Sequence, residues 1–147
     1  MDWQTNIIRD SGALRDLLAV THTIAVLGIK TAAQSGQPAF YVASYLAKAG
    51  FDVIPVPVYY PEVEEILGRP VYRKLTDIPK KVDLVNVFRR SQDVAGHIDD
   101  ILAKQPKAVW LQLGIQDDAV ARTLAEAGIK VVQNRCLMID HQQIDRR

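Results

Sequence analysis

Apolar residues along this chain fall into short, nearly unbroken runs separated by stretches in which they recur every three or four positions. The runs are Thr23–Ile29, Asp52–Val58, Asp83–Phe88, Ala108–Leu113 and Lys130–Asn134. Runs of four to eight residues with little alternation are the mark of strands buried on both faces. Between them, helical spacing is clear. Leu14, Leu17 and Leu18 follow the capping pair Asp10-Ser11, and Val94, Ile98, Ile101 and Leu102 follow Ser91, which is expected to cap that helix. Val120 and Leu124 precede a stop at Gly128, and another helix opens at Gln37-Pro38 and closes at Gly50. From Tyr59 to Pro79 the pattern is less regular, and Glu62, Glu64 and Glu65 suggest a short helix ending near Gly68.

Buried strands alternating with amphipathic helices define an α/β protein with a parallel sheet covered on both faces. Right-handed crossovers then predict a doubly wound, Rossmann-like fold of three layers, with about five strands and the first strand central. Pro55 and Pro57 lack ladder donors, so the far end of the second strand is expected at a sheet boundary or a ligand crevice. A length of 147 residues fits one domain, spanning 1–147.

Ligands in such sheets bind beyond the carboxyl ends of the strands. That edge collects Gly28 to Lys30, Val56 to Tyr59, Phe88 to Arg90, Gly114 to Gln116 and Asn134 to Cys136. Gly28 ends the first strand, where a glycine permits a tight turn and close approach to a ligand. The helix beginning at Gln37-Pro38 would aim N–H groups and its dipole at the same point, which suits a phosphate or pyrophosphate. Arg89 and Lys30 are candidate phosphate ligands, and Phe88 could support a purine ring.

Other chemistries lose ground on the residues. Gly28 is followed by Ile29-Lys30-Thr31, so the dinucleotide pattern G-x-G-x-x-G is missing, and no acidic residue closes the second strand to hold a ribose. NAD is therefore disfavoured, and without a Walker motif so is nucleotide hydrolysis. His22, His97 and His141 with Cys136 give no metal-ligand spacing. A net charge of +1 predicts no nucleic-acid surface. A lone cysteine, an N-terminus unlike a signal peptide and no apolar run near ~20 residues suggest a cytoplasmic protein that does not enter a membrane. Cys136 and His141 remain as an alternative nucleophile and base.

The motifs Thr23–Gly28, Pro38-x-x-Tyr41, Gly50–Val56, Asp83–Arg89, Val109–Ile115, Ala127–Val132 and Asn134-Arg135-Cys136 occur in order. Together they resemble the small stand-alone CoA-binding proteins, whose domain is similar to the N-terminal CoA-binding domain of the succinyl-CoA synthetase α subunit. The resemblance covers about Asp10 to His141. It implies coenzyme A as the small-molecule ligand. The pyrophosphate would lie at Gly28, Ile29 and Lys30 and the amides near Gln37 and Pro38. The adenosine would lie near Val56, Phe88 and Arg89, and the pantetheine arm would run toward Gln112 and Gly114. The family's Val-Asn-Pro is replaced by Val56-Pro57-Val58, which removes an asparagine from the adenosine end. The synthetase's phosphorylated histidine belongs to a separate domain, so the resemblance implies binding of CoA or an acyl-CoA without ligase activity. Two alternatives stand beside it: an enzyme acting on a CoA thioester or other nucleotide-linked substrate through Cys136 and His141, and a nucleotide-dependent, repressor-like interaction protein.

Overall fold

The computed structural model describes residues 2–145. Five strands form the sheet: β1 (Thr23–Leu27), β2 (Asp52–Val56), β5 (Leu84–Val87), β6 (Ala108–Leu111) and β7 (Lys130–Val132). A separate two-stranded ribbon pairs β3 (Glu65–Ile66) with β4 (Arg69–Pro70). The helices are α1 (Ser11–Ala19), α2 (Pro38–Lys48), α3 (Ser91–Val94), α4 (Ile98–Lys104), α5 (Asp118–Glu126) and α6 (Leu137–Asp145).

All pairings in the main sheet are parallel, and the strand order is β2-β1-β5-β6-β7. Side-chain alternation splits the core into two layers. Ile24, Val26, Leu84 and Trp110 pack on one face with Leu14, Leu17, Val42, Leu46 and Leu137 of α1, α2 and α6. Ala25, Leu27, Val85, Val87 and Val109 pack on the other with Ile101, Val120 and Leu124 of α4 and α5. This is the expected doubly wound α/β fold.

The first strand is not central, contrary to expectation. β2 alone lies on one side of β1 and three strands lie on the other, so β5 takes the middle. The expected helix around Glu62–Gly68 is also absent. Leu67 and Gly68 both have positive φ, 55° and 72°, which makes the tight turn of the β3–β4 ribbon. The preceding loop is organised by Arg73, whose guanidinium donates to the carbonyls of Tyr59, Tyr60, Pro61 and Val63. Tyr60 O also accepts from Val63 N at 3.1 Å, closing a turn rather than starting a helix.

Ser91 is the first residue of α3 rather than its cap. Its hydroxyl accepts from Gln116 N at 3.0 Å and ties two edge loops together. Helix formation then passes through a 3₁₀ turn at Ala95–His97 before α4. Pro55 fits its place because β2 is an edge strand whose outer side needs no ladder donors, and Pro57 lies just past the strand's end.

Candidate functional site

The strand order reverses between β1 and β5, so their carboxyl ends flank the topological switch point where open α/β sheets form ligand crevices. Gly28 stands there with φ +87°, and its N–H donates to Val56 O at 2.9 Å. A Cβ on Gly28 would lie 2.3 Å from Phe88 O. Glycine is thus demanded by the close approach of two segments of the protein's own backbone, not only by space for a ligand.

From Gly28 the chain turns toward α2. Ile29 is buried, so its side chain is core and only its backbone faces the crevice. Lys30 N donates to Ala39 O at 3.0 Å, and Lys30 Nζ donates to Gln37 Oε1. Pro38 occupies the first helical position and has no N–H, while Phe40 and Tyr41 both donate to Gln37 O. The N–H of Ala39 is left as the donor of the first turn, beside the Lys30 ammonium. This is a smaller amide cradle than a bare helix N-terminus offers.

Arg89 is the best-held cation of the edge. Its side chain is only 15% exposed. Nε donates to His97 Nε2 at 3.2 Å, Nη1 donates to Tyr59 Oη at 3.2 Å, and Nη2 lies 3.8 Å from Asp93. The guanidinium also lies 5.5 Å from the centre of the Tyr59 ring. Burial lowers the pKa of His97, and the Arg89 charge lowers it further, so the imidazole is held neutral as an acceptor. Arg90, by contrast, is exposed and paired with Asp93 at 2.8 Å. Sequence reasoning did not connect His97 to Arg89. The 3₁₀ turn between α3 and α4 is what carries that ring back over the strand end.

At the middle of the edge, Gln112 is buried and accepts from Asn86 Nδ2 at 3.2 Å and Leu137 N at 3.3 Å. Asn86 Oδ1 is buried with no hydrogen-bond partner among the described residues. Gly114 has φ +88° with open space where a Cβ would lie, and its N–H donates to Asn134 Oδ1 at 2.7 Å. Val56 is fully buried and Phe88 packs partly buried on the α2–α6 layer. Gly28, Lys30, Gln37, Pro38, Arg89 and Gly114 therefore present groups to the edge, whereas Ile29, Val56 and Gln112 shape it from below.

Cys136 and His141 both lie on the α1–α2–α6 layer, and the hydrogen bond of His141 goes to Tyr45 rather than to Cys136. Cys136 packs against the α1–α2–α6 layer. His141 Nδ1 lies 2.6 Å from Tyr45 Oη, and its ring meets Tyr45 and Phe51 edge-on. No cluster of three or more His, Cys, Asp or Glu that could hold a metal occurs among the described residues. No helix among them is long and apolar enough to cross a membrane.

A parallel sheet with glycine turns, a helix N-terminus and a half-buried arginine at its switch point makes this a Rossmann-like α/β protein. More specifically, the chain belongs to the CoA-binding domain family, whose model matches residues 22–142. A Thermus thermophilus protein of known structure is 37% identical, with a TM-score of 0.84 over 92% of this chain and 99% of that one. The uncharacterized protein YneT of Bacillus subtilis is 28% identical over 87% of this chain and 91% of its own. The dinucleotide-forming acetyl-coenzyme A synthetase 1 of Ca. Korarchaeum cryptofilum shares the fold, with a TM-score of 0.62 at 22% identity. That match covers 80% of this chain and 27% of the synthetase chain.

Proposed function

We propose that this protein is a single-domain CoA-binding module that takes CoA or an acyl-CoA at the switch-point edge and has no ligase activity of its own. The observation that carries the reading is the family match across residues 22–142, which contains every proposed contact. The donor set at the edge fits the ligand. The pyrophosphate lies at the turn Gly28, Ile29 and Lys30, against the Ala39 N–H and beside Gln37 and Pro38. Lys30, whose ammonium donates to Gln37, supplies the charge. The adenosine end lies between Val56, Phe88 and Arg89. Tyr59, 60% exposed and braced by Arg89, supplies a ring there in place of the family's asparagine. The pantetheine arm passes Gln112 toward Gly114.

Binding without ligation is supported by the engagement of His141 with Tyr45 and by the small share of the synthetase that this chain resembles. When bound, CoA supplies a thiol or thioester; the protein's own residues hold its phosphates and orient its arm.

Calorimetry with CoA, dephospho-CoA, NAD and ATP in metal-free buffer tests the reading. CoA binds and is recovered unchanged, and NAD binds much more weakly because no carboxylate closes β2. Equal affinity for NAD and CoA, or consumption of CoA, overturns it.

A further inference from the structure

Residues before the family match build a second feature at the same edge. The chain from Trp3 to Arg9 is fixed along the outer side of β7. Asn6 Nδ2 donates to Ala125 O at 2.9 Å, Ile8 N donates to Val131 O at 2.9 Å, and Ile7 bridges Val131 in parallel. Because that bridge is parallel, the segment runs toward the carboxyl edge and delivers Arg9 there.

Arg9 lines a cavity of about 410 Å³ with Ile7, Gln116, Gln133, Asn134 and Arg135. The cavity adjoins the pantetheine end of the site. Asn134 accepts from Gly114 N at 2.7 Å and donates to Ile115 O at 3.1 Å, so one residue belongs to both. The charges are unequal. Arg135 spends Nε and Nη2 on Asp140, at 2.7 and 2.8 Å, which leaves Nη1 outside that fork. Arg9 is exposed and has no hydrogen bond or ion pair among the described residues. The nearby carboxylate, Asp118, is outside the lining; amide donors from Gln133 and Gln116, at 3.1 Å each, and then the Arg9 charge hold its pKa below the ordinary aspartate value, so Arg9 already faces one carboxylate.

The lining joins amides and two guanidiniums to Ile7 and Ile8, so it can take a short hydrocarbon chain and hold a terminal carboxylate, which an arginine can grip with two parallel hydrogen bonds. We infer that this cavity is an acyl subsite selecting CoA thioesters whose acyl chain ends in a carboxylate, with Arg9 as the specificity-determining residue. The inference rests on the CoA-binding reading above.

Isothermal titration of wild type and Arg9→Gln tests it, using CoA, free succinate, and malonyl-, succinyl- and glutaryl-CoA against uncharged acyl-CoAs of matching length. In wild type at least one carboxyacyl-CoA binds about tenfold or more tighter than its uncharged match, as a charge-assisted pair predicts. Arg9→Gln removes that preference, while CoA itself binds both proteins alike. If CoA binds but no preference exists, or the variant keeps it, the acyl subsite is wrong and the CoA reading survives. If CoA does not bind, both fall. Succinate binding as tightly as succinyl-CoA also overturns the subsite, since the cavity would then be a general anion site.

Discussion

At the residue scale the switch point turns on two side chains, one absent and one present. Gly28 has none because Phe88 O occupies the place where a Cβ would go, at 2.3 Å. Gly28→Ala therefore disturbs the β1–β5 junction itself, combining a backbone collision with a positive φ. A loss of about 2–4 kcal/mol is expected from such strain and overpacking, read as a lower urea midpoint without any ligand. A variant of unchanged stability would mean that the two strand ends separate freely. Arg89 is the side chain that is present, and its contacts to His97, Tyr59 and Asp93 fix the guanidinium before any ligand arrives. Preorganised arginine–phosphate contacts are worth roughly 1.5–3 kcal/mol each, so Arg89→Ala should weaken CoA on the order of tenfold or more. If Arg89 grips the 3′-phosphate, the variant binds dephospho-CoA as wild type does. Equal losses for both ligands would place it on the pyrophosphate or in support of the loop.

At the element scale, strands and helices were legible wherever one force dominated. Continuous apolar runs gave all five sheet strands, because strands covered on both faces have no polar side to blur the pattern. Pro38 and Gly50 bracketed α2 for equally local reasons. The failures share a cause, which is that partners distant in sequence decided the outcome. Arg73 donates to four carbonyls of the 59–63 loop, just ahead of the ribbon that takes the place of the expected helix. The Ser91 hydroxyl accepts from Gln116 N rather than from its own helix. Helix α6 went unseen because its start, Leu137-Met138-Ile139, is a solid apolar block without the spacing that separates helix from strand. The residues around Gln112 follow the same rule, since its amide partners Asn86 and Leu137 N come from another strand and from α6. Where capping is local, the prediction is firm. Asp117 Oδ1 accepts from Ala119 N and Val120 N at 3.1 Å each, so Asp117→Ala should cost about 1 kcal/mol in a denaturant titration. No measurable cost would show that α5 is held by its buried face alone.

At the scale of the whole molecule both edges of the sheet are held by charged groups paired within the chain. Glycine turns and Arg89 mark the carboxyl edge, while two carboxylates pin the amino edge. Asp83 accepts from His22 N and Thr23 N at 2.9 Å each, and Asp52 pairs with Lys80 and with Arg69, the latter at 2.7 Å. Burial works against both charges, but these donors outweigh it, and both pKa values fall below the ordinary aspartate value. A depressed carboxylate stabilises the fold above its unfolded pKa, and that contribution is lost as the pH falls through the lower, folded one. His97 works in the same direction over a higher range. Burial and Arg89 depress its pKa, with Asp100 and Asp93 opposing, so the unfolded chain takes up the proton first as the pH drops below about 6.5. Two steps of acid destabilisation are therefore expected, one beginning near neutrality at the ligand edge and one below about pH 4, shared by Asp52 and Asp83 at the opposite edge and Asp93 and Asp118 at the ligand edge. Urea unfolding between pH 8 and pH 3 separates them. His97→Asn flattens the upper step and leaves the lower one, whereas Asp83→Asn costs about 1–2 kcal/mol at pH 7 and flattens only the lower. A His97 variant that retains the upper step would show that the imidazole is not held neutral beside Arg89, and the preformed cation site at the strand end would lose its support.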